Sequence, residues 1–429
     1  MRILFMLGMY QPRPSANGIC CEQVIKELIN FGYDVTCIVN GERNSPDVEL
    51  LEGAKIHRIK TRLTYRLIEW VEYNDSSKLA FVVNKIALIM NKIKSFIFSP
   101  FWPLVSPAYT YRFYTKAKEL YHKQAFHIVV PVYTPIDSLI AGYMLKRKFP
   151  EIKYVPYFLD SLSGGYGPKI FSKSRIIKVG LAWEKRLLTN ADRIVVMKSS
   201  ENHHRLYNAN SSYFEKFKFL DIPLMVQRKR RTLSAKVCRS ILDSEKINLV
   251  YAGSIPYPIR NPEFIFKIFE NLSCENAVLT FIGTNNCPSI FKKAQEKLGE
   301  KLNVVENLPH ESVLEILQQA DFLINIGNNN DSMVPSKIFE YMAMGKPIIS
   351  TYPIDNEPCI PYLKQYPLAL LLDERDQDVQ KMVERVNDFI NNSKGKNTDY
   401  EEIKDVFYKN TPNAFIEIIN GLFLKENIQ

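Results

Sequence analysis

Between Asp321 and Ser350 the chain carries a pattern that few local folds can satisfy. Asp321-Phe-Leu-Ile-Asn-Ile-Gly327 reads as a buried strand, and Asn328-Asn-Asn-Asp-Ser332 as a polar loop. Pro335 suits the first turn of a helix, Gly345 suits its exit, and Pro347 blocks continuation before the apolar Ile348-Ile-Ser350. The result is strand, loop, helix, strand, the repeat of a parallel sheet. Such a helix starts at the carboxyl end of a strand, where unpaired backbone N–H groups and the helix dipole favour phosphate. Val334, Pro335 and Ser336 form that start, Ser336 adding a hydroxyl and Lys337 a positive charge. Glu340 lies beyond Pro335 by roughly 7.5 Å, at about 1.5 Å of helix rise per residue. A carboxylate at that offset can accept hydrogen bonds from both vicinal hydroxyls of a ribose whose pyrophosphate sits on the helix end. The segment predicts a nucleoside-diphosphate site; the plain alternative is a buried helix with an exposed Glu340.

Two further segments point the same way. Arg2-Ile-Leu-Phe-Met-Leu-Gly8 is a strand, followed by a loop rich in Pro, Gly, Ser and Asn through Gly18. A helix is expected from Ile19 to about Phe31, with Cys20, Val24, Ile25, Leu28 and Ile29 on one face. Asn17 and Gly18 sit where that helix begins, and a glycine there lets a ligand approach the backbone closely. A plain turn explains Gly18 equally simply. No Gly-x-Gly-x-x-Gly occurs, so a dinucleotide fingerprint is absent. The other segment, Ile247-Asn-Leu-Val-Tyr-Ala-Gly253-Ser-Ile-Pro-Tyr-Pro-Ile-Arg260, is a strand entering a loop with Gly253 and Ser254 at its head. Arg260 is the loop's cation; a guanidinium suits a bidentate phosphate clamp, although surface arginines are common.

These motifs resemble the donor-binding segments of retaining glycosyltransferases of family 4. The resemblance implies an α/β GT-B fold, two Rossmann-like domains facing across a cleft. In that family two glutamates separated by seven residues precede a short Ala/Gly-Pro segment. The second matches Glu340, followed here by Tyr-Met-Ala-Met-Gly-Lys-Pro, but Ser332 stands where the first would fall. The likeness assigns Gly18 to the donor pyrophosphate and sugar, and Arg260 to the donor phosphates. Ser254 replaces the arginine that often follows the glycine. It also implies retention of anomeric configuration, with Arg260 and Lys337 stabilising the leaving group, and a role in surface polysaccharide assembly. Asp160, at the end of Tyr154-Val-Pro-Tyr-Phe-Leu-Asp160, is the candidate near the reacting sugar, although an aspartate there also suits an Asx-turn or cap. Because Ser332 replaces an acidic residue, a non-catalytic nucleotide-sugar-binding GT-B protein is the rival reading.

At 429 residues the chain is too long for one core and suits two domains. The expected division is 1–225 for an N-terminal acceptor domain and 226–400 for a donor domain, with 401–429 crossing back to the first. Arg228-Lys-Arg-Arg231 falls in the linker. Seven cysteines without paired spacing argue for reduced thiols and a cytoplasmic setting, and Met1-Arg-Ile-Leu reads as a strand rather than a signal peptide. His203 and His204 are adjacent rather than facing, Asn329-Asn-Asp331 is not an Asp-x-Asp, and no metal or cofactor is expected. Nucleic acid is disfavoured, because a net charge of +10 comes without a recognition motif.

The partners expected are therefore a nucleotide-diphosphate sugar and a lipid-linked or glycan acceptor. An anionic membrane surface joins them, on the inner face of the plasma membrane. Residues 79–105 are rich in Ile, Leu and Phe, but Lys85, Lys92 and Lys94 interrupt the run below the length of a spanning helix. Ile86, Ile89, Met90, Ile93 and Ile97 form one stripe, which suits either a bilayer interface or the core of the first domain.

Overall fold

A computed structural model describes the chain except residues 75–76, 105, 166, 169, 228–240, 307, 332–333 and 424–429, and the side chains of 94 and 95. Ser332, the Arg228–Arg231 linker and Lys94 as a membrane contact thus lie outside what is described. Two compact units emerge: unit 1, Met1–Pro223 with Pro412–Gln429, and unit 2, Leu224–Thr411.

Unit 1 is built on β1 (Arg2–Met6), β2 (Asp34–Asn40), β3 (Val48–Leu51), β4 (Ala54–Ile59), β5 (Ile128–Tyr133), β6 (Lys153–Tyr154), β7 (Tyr157–Phe158), β8 (Ile194–Met197) and β9 (Phe217–Leu220). Their order is β3-β4-β2-β1-β5-β7-β8-β9, with β6 paired to β5, and the pairing is parallel except between β3 and β4. The expected strand 154–158 is split, because Pro156 has no N–H for the ladder. β1 lies between β2 and β5, Phe5 facing Cys37 on one side and Val130 on the other. The order reverses there. Burial on both faces explains why these strands read as unbroken apolar runs.

Helix α1 (Ala16–Asn30) follows β1; α2 (Leu63–Tyr73), α3 (Lys78–Phe98) and α4 (Pro107–Lys123) lie between β4 and β5. Then come α5 (Ile136–Lys148), α6 (Lys173–Leu188) and α7 (Glu201–Asn208). The C-terminal helix Pro412–Asn420 belongs to this unit and packs on α1, with Phe415 between the rings of Phe5 and Tyr157.

Helices α2 and α3 pair as a hairpin. Among the described side chains of α3 only Ala80 and Ala87 are buried, while Ile86, Ile89, Ile93 and Ile97 are each about half exposed, from 47% to 55%. The isoleucine stripe therefore does not enter the core of unit 1. No helix among the described residues is long and apolar enough to cross a membrane.

Unit 2 holds β10 (Ile247–Ala252), β11 (Ala277–Ile282), β12 (Leu302–Val305), β13 (Phe322–Ile326), β14 (Ile348–Tyr352) and β15 (Ala369–Asp373). The order β12-β11-β10-β13-β14-β15 is that of a doubly wound, all-parallel Rossmann sheet, reversing between β10 and β13. Leu249 faces both Leu279 and Phe322 across this centre. The helices that cover it include α8 (Glu263–Glu270), α9 (Pro288–Leu298), α10 (His310–Gln319) and α11 (Lys337–Ala343). Phe266, Phe281 and Phe291 pack as an aromatic trio within its core.

Candidate functional site

Unit 2 encloses a cavity of about 350 Å³ at the carboxyl ends of β10 and β11. In open α/β sheets this crevice beside the reversal of strand order is where ligands bind. Gly253, Ser254, Arg260, Pro335, Ser336, Lys337 and Glu340 all line it, drawn from the two segments that the sequence singles out. Val334 is half-buried nearby and does not line it.

One wall is bare backbone. Gly283 has φ +135°, and a Cβ there would stand 2.5 Å from the Gly253 carbonyl oxygen, so a side chain is excluded. Gly253 N–H donates to Ile282 O at 2.9 Å and Ile255 N–H to Thr284 O at 2.8 Å, locking the two loops together. Opposite lie Leu308, Val313, Leu314 and Leu317, an apolar face contributed by α10 and the loop before it. Sequence reasoning missed Gly283, Thr284 and this face. The available signal was that Ile282 and Val305 also end strands of the same sheet.

The cations are held differently. Arg260 Nε donates to Asn328 Oδ1 at 2.7 Å and Nη1 to Ser254 O at 3.0 Å, so two fixed acceptors aim the guanidinium. Asn328 is fully buried, and its own N–H donates to Glu357 Oε1 at 3.3 Å. Lys337 lies with Nζ 3.4 Å from the centroid of the Tyr251 ring. Part of the residue is exposed, but Nζ itself is closed off and has no hydrogen-bond partner. Burial, and then the neighbouring charge of Arg260, push its pKa well below the ordinary lysine value. No carboxylate of the described residues pairs with this amine.

Helix α11 begins at Lys337 rather than at Pro335, with Ser336 as an N-cap whose side chain makes no capping bond. Glu340 accordingly stands in the first turn. Its Oε1 lies 3.8 Å from Nε2 of His310 on α10, another residue the sequence did not single out. Tyr341 anchors the helix, its hydroxyl accepting from Ala252 N–H at 3.1 Å.

The remaining candidates meet in unit 1. Helix α1 starts at Ala16, earlier than Ile19, because Ser15 Oγ accepts from Gly18 N–H at 3.2 Å and caps it. Asn17 and Gly18 are thus inside the first turn. A Cβ on Gly18 would lie 2.4 Å from Met9 O, so close packing under the preceding loop already requires this glycine. Asn17 Nδ2 donates to Asp160 Oδ2 at 2.9 Å and to Tyr133 O at 3.4 Å, joining the ends of β5 and β7 to α1.

Behind Asp160, Ser163 N–H donates to the buried Glu184 at 2.9 Å, and Ser163 Oγ pairs with His203 Nε2 at 2.8 Å. His203 therefore holds the loop that carries Asp160. Unit 1 also has a cavity, of about 330 Å³, at the ends of β1 and β5.

The two units, each with a parallel Rossmann-like sheet, have the GT-B fold. Residues 246–392 match the family described as Glycosyl transferases group 1. That match marks the chain as an enzyme of the glycosyltransferase class. Among similar solved structures is a sucrose-phosphate synthase from Thermosynechococcus elongatus, at 15% identity and TM-score 0.60, covering 98% of this chain and 99% of that one. Anabaena HepE in complex with UDP and glucose matches at 10% identity and TM-score 0.58, covering 98% and 100%. The Escherichia coli trehalose-6-phosphate protein bound with UDP-2-fluoro glucose matches at 12% and 0.55, covering 99% of each. At these identities the likeness is one of fold. No match is found among curated protein sequences.

Proposed function

We propose that the chain transfers a sugar from a nucleoside-diphosphate donor, held in the unit 2 cavity, to a lipid-linked or glycan acceptor. The reaction retains anomeric configuration and serves surface polysaccharide assembly at a cytoplasmic membrane face. The observation that carries this is the pairing of Arg260 with an unpartnered, desolvated Lys337 beside bare glycine backbone. A diphosphate would supply an anion, Glu340 would take the ribose hydroxyls, and the leucine face suits a flat base. Solved structures of this fold hold UDP and UDP-glucose, which makes uridine donors the first to test.

In the transfer, the bond from the sugar's anomeric carbon to the β-phosphate oxygen breaks, and a bond to the acceptor oxygen forms on the same face. The acceptor proton passes to the departing phosphate oxygen. The protein's main task is then to stabilise diphosphate charge as it grows, which fixed cations in a water-poor cavity do well. Asp160, held by Asn17, would stand by the acceptor.

The half-exposed isoleucines of α3, with Lys85 and Lys92 also exposed, support docking to an anionic bilayer, where each lysine adds about 1 kcal/mol.

The test is release of nucleoside diphosphate from UDP-sugars in the presence of lipid-linked acceptors, with vesicle flotation alongside. Asp160→Asn should lower turnover with little change in donor affinity. Replacing Lys85 and Lys92 by Glu should abolish flotation at low salt and spare donor binding. Absence of turnover with every donor that binds would leave a nucleotide-sugar-binding protein instead.

A further inference from the structure

Glu357 is a buried carboxylate that lies outside the lining of the unit 2 cavity, in the segment after β14. Only 1% of it is exposed. Taking a carboxylate out of water costs free energy unless hydrogen bonds replace the water. Two backbone N–H groups do so: Cys359 donates to Oε2 at 2.7 Å and Asn328 to Oε1 at 3.3 Å. Burial still pushes the carboxyl above its ordinary range, and these N–H groups pull it part of the way back. The bond from Cys359 is local. The bond from Asn328 reaches a different strand end, the turn that follows β13.

That turn is clamped at three successive residues. Gly327 N–H donates to Thr351 O at 2.9 Å, Asn328 N–H to Glu357, and Asn329 N–H to Ile259 O at 2.7 Å. A Cβ on Gly327 would stand 2.6 Å from Thr351 O and 3.1 Å from Glu357 Cγ, so glycine lets the turn lie this close. The side chain of Asn328 sits among these clamps, and its Oδ1 accepts from Arg260 Nε at 2.7 Å. Ile259 precedes Arg260, so Asn329 holds the backbone beside the cation while Glu357 holds the residue that supplies its acceptor. Two acceptors fix the plane of a guanidinium, whereas Ser254 O alone would leave it free to turn.

We infer that Glu357 is a positioning residue for Arg260, acting through Asn328 to aim the guanidinium at a bound diphosphate. The inference rests on the donor-site reading above and deepens it. The route runs from carboxylate to backbone N–H, and from the Asn328 side chain to the guanidinium. Such supports matter, because a misplacement of about 1 Å in a reacting site can cost about 10²-fold in rate. Glutamine is the informative replacement at Glu357. Its amide keeps one oxygen and turns an NH2 toward the other N–H, so one of the two bonds is lost. The longer bond, to Asn328, is the one expected to go.

Calorimetric titration of UDP, inorganic pyrophosphate and uridine into the full chain tests this, in the wild type, Glu357→Gln, Arg260→Ala and the double replacement. Glu357→Gln should weaken UDP and pyrophosphate about three- to tenfold, the usual effect of one lost hydrogen bond. Uridine should bind as before, since only the diphosphate meets Arg260. In the Arg260→Ala background the same replacement should weaken neither ligand further, because its route ends at the missing guanidinium. Asn328→Ala keeps the N–H that bonds Glu357 and removes the acceptor of Arg260. It should reproduce both results, and it carries the test if Glu357→Gln does not fold. Equal losses with and without Arg260, an equal loss for uridine, or no loss at all overturns the inference. Failure of the wild type to bind UDP or pyrophosphate, or binding that Arg260→Ala leaves untouched, would instead overturn the donor-site reading beneath it.

Discussion

The cavities of unit 1 and unit 2 occupy the same place in their sheets, beside the strand where the order reverses, yet their linings are opposed. In unit 2 the wall is glycine backbone and two cations, and no carboxylate of the described residues pairs with Lys337. In unit 1 the cation Arg62 is cancelled by Asp137, and the aromatic residues Tyr65, Trp102, Tyr109 and Tyr133 line the cavity. One topology thus supplies a crevice twice, and the side chains decide what each accepts. The first gathers two cations beside bare backbone, the second sets aromatic rings around a neutralised cation.

The largest expected effect follows from the cations. Arg260→Ala should lower turnover by about 10²–10³, because fixed donors act most strongly on charge that grows in the transition state. Nucleoside binding should fall much less. Lys337→Met is predicted to be as damaging to turnover, yet to raise the melting temperature of the ligand-free protein, since it removes a buried amine that has no hydrogen-bond partner in the protein. A melting temperature that falls would mean that Lys337 is a structural residue and that the contrast between the cavities is not electrostatic.

The contrast also explains what could be read in the chain. The unit 2 site uses residues clustered in two contiguous loops, because phosphate is held by strand ends, backbone and nearby cations. Gly253, Arg260, Lys337 and Glu340 therefore stand out in the sequence, through their loops and through the family resemblance. The parallel sheets were legible for a related reason, their strands being apolar on both faces. The unit 1 cavity draws on residues as distant as Asn40, Trp102 and Tyr133, and an aromatic there looks like any core aromatic. Nor does spacing tell that the isoleucines of α3 stay outside, because an amphipathic stripe suits a core and a surface alike. Helix starts were misjudged where Ser15 and Ser336 took the capping position.

A smaller effect should separate the units by pH. In unit 1, burial lowers the pKa of His204 to about 3 and of His57 to about 4, from 6.5. Below pH 6.5 the unfolded chain takes up protons that the folded one refuses, so stability is lost as pH falls toward 4. The raised pKa of buried Glu184 offsets part of this. In unit 2, burial raises Glu374 from 4.5 to about 7, so its contribution is present below 4.5 and lost as pH rises through 7. Lowering the pH from 7 to 5 should weaken hydrogen-exchange protection in β8 and strengthen it in β14. Parallel changes in both strands would contradict this assignment.

The central claim is that the unit 2 cavity binds a nucleoside diphosphate through its cations and Glu340. Calorimetric titration of UDP into the wild type and Glu340→Gln tests it directly. The wild type should bind with uptake of a proton, as the incoming diphosphate raises the lowered pKa of Lys337. Glu340→Gln should bind about ten- to a hundredfold more weakly with an unchanged fold, the effect of losing a charge-assisted hydrogen bond. Equal affinity in the two proteins, without proton uptake at any pH, would contradict the account.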